Sequence, residues 1–207
     1  MLEHFRAGWQ KVMHPLAAAL IRMHVTPDMV TWIGTIGSIA MALIFFPLGM
    51  LWQGPWLVAL FIFSDSLDGN MARQLGRHSQ WGSFLDSSLD RLADGALFAG
   101  LVLYYAGPGD SRLWAGFGLA ALILGQVTSY VRAKAESLGL SAKMGLATRA
   151  DRLLVSLLGA ELTGLAVAGF LPHWLIWALP AGLIYLTIAG AVTVGQRMAA
   201  VHRQVTS

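Results

Sequence analysis

Four aspartates stand at fixed intervals in the stretch SDSLDGNMARQLGRHSQWGSFLDSSLD: Asp65 and Asp68 are three apart, Asp86 and Asp90 four apart. At 100° per residue, three steps along a helix return to within about 60° and four to within about 40°, so each pair shares a face. The turn between the two segments is short, which makes them antiparallel neighbours with four carboxylates facing one space. Unpaired carboxylates in an apolar setting are costly and repel one another, so a positive partner is required. The chain has no cysteine and no pair of histidines at helical metal spacing, which leaves oxygen ligands alone. That set suits a hard dication, Mg²⁺ or Mn²⁺, one ion or two. The plainer alternative is a pair of helix ends reaching water, with the acids solvated or paired to Arg73, Arg77 and Arg91.

The elements that carry these acids belong to a membrane. The chain of 207 residues is 56% hydrophobic and only 12% charged, and its mean hydropathy is +0.61. Residues 29–51 and 113–131 hold no Asp, Glu, Lys or Arg, and 153–196 hold only Glu161. Runs of about 20 apolar residues span a bilayer as helix, the one spanning form this pattern permits. Six spans are expected: 28–48, 52–77, 82–106, 112–138, 148–171 and 173–203. All of 1–207 reads as a single all-α membrane domain, with 28–203 the six-helix bundle and 1–26 a juxtamembrane segment. In that segment Leu2, Phe5, Trp9, Val12 and Leu16 recur at helical spacing until Pro15 breaks the run, as in an amphipathic helix lying on the membrane surface.

Charge sets the orientation. Of 14 Lys and Arg, only Arg112 falls on the side of the turns 49–55, 106–112 and 170–173. The positive-inside rule then places both termini in the cytoplasm, in the plasma (inner) membrane. Trp52, Trp56, Trp114, Trp174 and Trp177 cluster at the outer turns as an aromatic belt. The basic residues belong to this topology and form no single face for nucleic acid. Asp65 is eight residues from Arg73, about 12 Å at 1.5 Å per residue, so the acids lie just inside the cytoplasmic interface. Small residues such as Gly34/Ser38 and Ala96/Gly100 suit close helix packing. Pro180 is expected to kink span six. Asp94 extends the acidic face or pairs with arginine, the pairing being favoured; Glu161 reads as a polar contact between helices.

The acids fit D-x-x-D-G-x-x-A-R-x(8)-G-x-x-x-D-x-x-x-D at every fixed position: Asp65, Asp68, Gly69, Ala72, Arg73, Gly82, Asp86 and Asp90. This resembles the signature of the CDP-alcohol phosphotransferases, six-helix membrane enzymes, and the resemblance covers nearly the whole chain. It implies two divalent metals on Asp65, Asp68, Asp86 and Asp90, with Asp90 also the base that deprotonates an attacking alcohol. It implies displacement at the phosphate bearing the lipid, loss of CMP, and a homodimer. Gly69, Arg73 and Ser79 would meet the CDP moiety.

The acceptor must be read from the flanks. Arg132, Lys134, Lys143, Arg149, Arg152, Arg197 and Arg203 gather at the cytoplasmic ends of spans four to six. Arg149 and Arg152 share a helix face, whereas Arg132 and Lys134 lie about 200° apart, so at most one joins the same pocket. These charges read either as positive-inside bias with anionic lipid contact or as a pocket for an acceptor that already carries phosphate. TPDMVT (26–31), SYVRAKAESLGL (129–140) and GLATRADRL (145–153) resemble the actinobacterial members that join inositol 1-phosphate to CDP-diacylglycerol. That resemblance implies Asp28, Met29, Val30 and Thr31 beside the CDP headgroup, and Arg132, Arg152 and Arg197, with Arg149 as a further candidate, on the acceptor phosphate. The chain departs from it in having Arg132 then Lys134 where Lys then Arg is expected, and Thr148 where Glu is expected. The rival acceptor is glycerol 3-phosphate. A divalent-cation transporter is the rival class, and it should keep its acids nearer the midplane.

Overall fold

The computed structural model describes residues 13–76 and 79–206, the side chains of Asp65 and Ser66 excepted. The expected surface helix therefore lies mostly outside the described residues, as does Arg77. All regular secondary structure among the described residues is helical, without strands. Three stretches are long and apolar enough to cross a membrane: Pro27–Phe45, Arg112–Ser137 and His173–Thr206. The described chain divides into two compact units, one drawn from residues up to 41 with 57–93, the other from 42–56 with 94–206.

In the first unit, residues 13–22 form helix α1. Pro15 lies inside this run and does not end it, contrary to the expectation. Ala17 is fully buried against Val30 and Met71, with Leu20 and Ile21 packed alongside. Helix α2 (Pro27–Phe45) starts where Thr26 Oγ1 accepts the backbone N–H of Met29 at 3.2 Å, with Pro27 next in line. Span two is one continuous run by sequence but two helices in the fold, α3 (Gly54–Ile62) and α4 (Ser64–Gln74). Phe63 between them keeps right-handed helical dihedrals, and its N–H still reaches Ala59 O at 2.9 Å. Ser64 Oγ donates to Phe61 O at 2.6 Å, so a side chain competes for a ladder carbonyl at the break. The same serine sits where a Cβ on Gly34 would stand 1.7 Å from its Oγ, so α2 and α4 touch only because Gly34 has no side chain.

Helix α5 (Gln80–Ala106) is capped by Ser79, whose Oγ accepts the Gly82 N–H at 2.9 Å. It enters the second unit at Asp94. There α6 (Arg112–Ser137), α7 (Arg149–Val167) and α8 (Ala178–Thr206) follow, and α8 packs on both α6 and α7. The contacts run along small residues. Gly118, Ala121, Gly125 and Thr128 are buried on α6; Gly159, Ala160, Thr163 and Gly164 on α7; Ala189, Gly190 and Thr193 on α8. Lipid offers no hydrophobic drive between helices, so close backbone approach must supply the attraction. A Cβ on Gly100 would meet Ala42 O at 2.4 Å, the same device on α5.

Pro180 falls in the first turn of α8, after a 3₁₀ segment, His173–Trp177, and not in mid-helix as the expected kink would need. A first-turn N–H has no helical partner to lose. Around these turns Trp52 stacks edge-on to Phe170 at 6.2 Å and Trp114 to Trp177 at 6.0 Å. Trp56 Nε1 donates to Glu161 Oε1 at 3.1 Å, so Glu161 does make the polar contact between helices that was expected of it.

Candidate active site

The first unit contains a cavity of about 960 Å³. Its walls include Asp28, Thr31, Asp68, Gly69, Arg73, Ser79 and Asp86, seven of the residues singled out from the sequence. Each is placed by a local cause. The Thr26 cap and Pro27 set Asp28 in the first turn of α2, and Thr31 follows one turn later. The Ser79 cap starts α5 so that Gly82 and Asp86 lie one turn apart along it. Gly76, at φ +62°, reverses the chain after α4.

Asp68 is buried, 7% exposed, and its Oδ2 accepts a short hydrogen bond from Thr31 Oγ1. Asp86 is exposed on the cavity wall. Asp90 is half-buried and lies 3.9 Å from the Arg91 guanidinium. Asp28 Oδ2 accepts the indole N–H of Trp81 at 3.2 Å. Over Gly69 a Cβ would find only Arg73 Nη1, at 4.0 Å, so backbone lies bare to open space beside Asp68. Asp68 and Asp86 offer oxygen ligands of the kind hard dications take, and the glycine leaves room for a ligand above them, but the described residues by themselves bring no three such side chains together.

Two residues stand off the cavity wall. Val30 is 7% exposed and packs with Ala17 and Met71. Met29 is half exposed and forms no part of the cavity wall. The reason is angular: with Asp28 and Thr31 on one face of α2, the two residues between them must point elsewhere. Asp90 is likewise not on that wall.

The second unit holds the arginines. Thr148 and Asp151 form a reciprocal capping box, which starts α7 at Arg149 and puts Arg149 and Arg152 in its opening turn on a shared face. Both converge on Asp94, which is 3% exposed: Oδ1 accepts from Arg149 Nε at 3.1 Å and Oδ2 from Arg152 Nη2 at 2.9 Å. Arg152 is 6% exposed and lies against Gly125, where a Cβ would stand 3.2 Å from its Nε. The favoured role for Asp94, pairing with arginine, is the one found.

Arg197 differs. It is 8% exposed, donates from Nε to Met144 O at 2.8 Å and from Nη1 to Thr128 O, and among the described residues no carboxylate pairs with it. Arg132 and Arg152 lie within Coulombic reach of it. Arg132 itself is exposed and held by Glu136 at 2.9 Å. Arg197 is thus held by carbonyl dipoles, with the Arg132 and Arg152 cations and the Glu136 carboxylate all within Coulombic reach, and its guanidinium still offers donors to a further anion.

Sequence reasoning missed Trp81, Gly125 and the carbonyls of Thr128 and Met144. Trp81 carried a signal, as a tryptophan on the basic side, away from the outer belt. Carbonyls carry none.

The sequence profile described as CDP-alcohol phosphatidyltransferase matches residues 24–194. A phosphatidylinositol phosphate synthase of Cutibacterium acnes is 71% identical, over 98% of both chains. Another, from Streptomyces avermitilis, is 46% identical over 98% of this chain and 82% of its own. Among solved structures, the Mycobacterium tuberculosis phosphatidylinositol phosphate synthase with CDP-DAG bound is similar at a TM-score of 0.86 and 38% identity, over 92% of this chain and 94% of that one. The same enzyme in complex with manganese and citrate gives 0.83 and 37% identity, over 91% and 88%.

Proposed function

The chain belongs to the CDP-alcohol phosphatidyltransferase family, and from that premise we propose that it transfers the phosphatidyl group of CDP-diacylglycerol to inositol 1-phosphate with release of CMP. The acceptor half rests on one observation above others: Arg197 is buried, held by backbone carbonyls with no carboxylate paired to it among the described residues, and has Arg132 and Arg152 within Coulombic reach. Arg132, Arg149, Arg152 and Arg197 take the acceptor phosphate, because guanidinium forks match its oxygens. A phosphate here also meets the N-terminus of α7, where backbone N–H groups favour an anion. The names of the similar synthases support inositol 1-phosphate.

Asp28, Thr31, Gly69, Arg73 and Ser79 receive the CDP moiety. Arg73 offers charge to the pyrophosphate, and the bare backbone at Gly69 lets the nucleotide lie close. Asp65, Asp68, Asp86 and Asp90 hold two Mg²⁺ or Mn²⁺ ions in this reading, and bound there the ions supply charge neutralisation to the pyrophosphate. Asp90 accepts the proton of the inositol hydroxyl as its oxygen bonds to the lipid-side phosphorus. The bond from that phosphorus to the bridging oxygen breaks, and CMP leaves with the electron pair. An aspartate, with an ordinary pKa of about 3.9, is a weak base, so positioning must supply most of the effect.

We place this reaction at the cytoplasmic face of the plasma membrane. The chain crosses six times as one domain with both termini inside and its first residues along the surface, and it works as a homodimer. The one-sided distribution of Lys and Arg and the exposed tryptophans of the outer turns support this orientation. The acceptor assignment is tested by competition. With CDP-diacylglycerol and equal inositol 1-phosphate and glycerol 3-phosphate, mass spectrometry should find phosphatidylinositol phosphate as the dominant product. A dominant phosphatidylglycerophosphate product would replace the acceptor and keep the chemistry.

A further inference from the structure

Asp94 lies outside the eight-residue aspartate signature, and nothing in the reaction above uses it, yet it is the most buried carboxylate among the described residues. We infer that Asp94 is a positioning residue for the acceptor phosphate: it clamps Arg149 and Arg152 at the start of α7 in the arrangement that binds a phosphomonoester. The inference rests on the acceptor reading proposed above.

Three observations carry it. Each carboxylate oxygen serves a different arginine, at 3.1 Å and 2.9 Å, so one side chain fixes two guanidinium groups. The arginines occupy the first turn of α7, where the helix dipole disfavours cations, and they repel one another. They stay there because a carboxylate offsets both costs. Finally, Gly125 leaves a slot on α6 that a Cβ would fill, and Arg152 lies in it. Clamp and slot together leave the Arg152 guanidinium little freedom. Ordering these long side chains before the acceptor arrives removes an entropic cost from binding.

A contrary electrostatic view makes the opposite prediction. If Asp94 merely competed with the phosphate for the arginines, removing its charge would tighten acceptor binding. Asp94→Asn separates the two views. Asparagine keeps the size but turns an amide N–H₂ toward one arginine, which breaks the clamp. Positioning predicts that KM for inositol 1-phosphate rises about tenfold or more while KM for CDP-diacylglycerol stays within about twofold. An acceptor KM that is unchanged or lowered overturns the inference. So does an equal loss of kcat with every substrate and no change in either KM, the signature of a merely structural role. If Asp94→Asn does not fold, Gly125→Ala decides. It leaves the Asp94 pairs in place and crowds Arg152 alone, so the same selective rise in acceptor KM is expected, and none would overturn the inference. Wild type is assayed first with each acceptor. If only glycerol 3-phosphate releases CMP, the acceptor reading has failed, and the Asp94 comparison is then read on that phosphomonoester.

Discussion

Asp90→Asn should give a folded chain whose CMP release falls about a hundredfold or more, the range expected when a positioned base is lost. The substitution keeps the shape of the side chain and removes its ability to take a proton. It also removes one of four charges from the proposed metal site, so the loss should exceed that of a base alone. Asp90 is half-buried with Arg91 at 3.9 Å, and the neutral amide leaves that guanidinium partly uncompensated. Because Arg91 is itself partly exposed, folding should survive. The measurement is initial CMP release from CDP-diacylglycerol at saturating acceptor, with thermal unfolding in detergent as the folding control. A folded Asp90→Asn variant with wild-type turnover would take Asp90 out of the mechanism.

The second large effect is expected at Arg197. Removing one partner of a buried, hydrogen-bonded charge interaction costs about 2–5 kcal/mol. At about 1.4 kcal/mol per decade, Arg197→Ala should lower kcat/KM for inositol 1-phosphate by more than about thirtyfold. Part of the loss is local. Thr128 O and Met144 O lose their donor, and the 138–147 segment loses a tie to α8. Other ties remain, for Leu146 N–H donates to Thr193 Oγ1 at 3.0 Å and Gln204 holds both the N–H and the C=O of Ser141. The segment should therefore stay ordered, and KM for CDP-diacylglycerol should hold. Arg197→Lys keeps the charge without the fork, so it should recover part of the acceptor affinity. Unaltered acceptor kinetics in folded Arg197→Ala would mean that the buried cation serves packing alone.

Fixed spacing is what singled out the acids. In the fold Asp68 and Asp86 line one cavity together with Gly69 and Arg73, whereas Asp90, one turn beyond Asp86, does not. Angular bookkeeping accounts for Val30 and Met29 lying off the cavity wall, for they sit between two residues that share a face. The break at Phe63 was not readable, because it depends on Ser64 taking the Phe61 carbonyl and not on any breaker residue. The charge state of Arg197's surroundings was hidden as well. Its partners are backbone carbonyls, one from α6 and one from the loop after it, and every residue type carries a carbonyl. Arg149, Arg152 and Asp94 were each visible, but their convergence required α5 and α7 to meet, which no local pattern encodes.

The central claim is that the four acids exist to hold dications against a cytidine pyrophosphate. Its most direct measurement is a Mn²⁺ titration of the purified chain followed by electron paramagnetic resonance, with and without CDP-diacylglycerol. The account predicts two bound Mn²⁺ per chain that tighten when the nucleotide lipid is present, and loss of both in a variant with Asp68 and Asp86 changed to Asn. Metal uptake that is absent, or that persists unchanged in that variant, would contradict it.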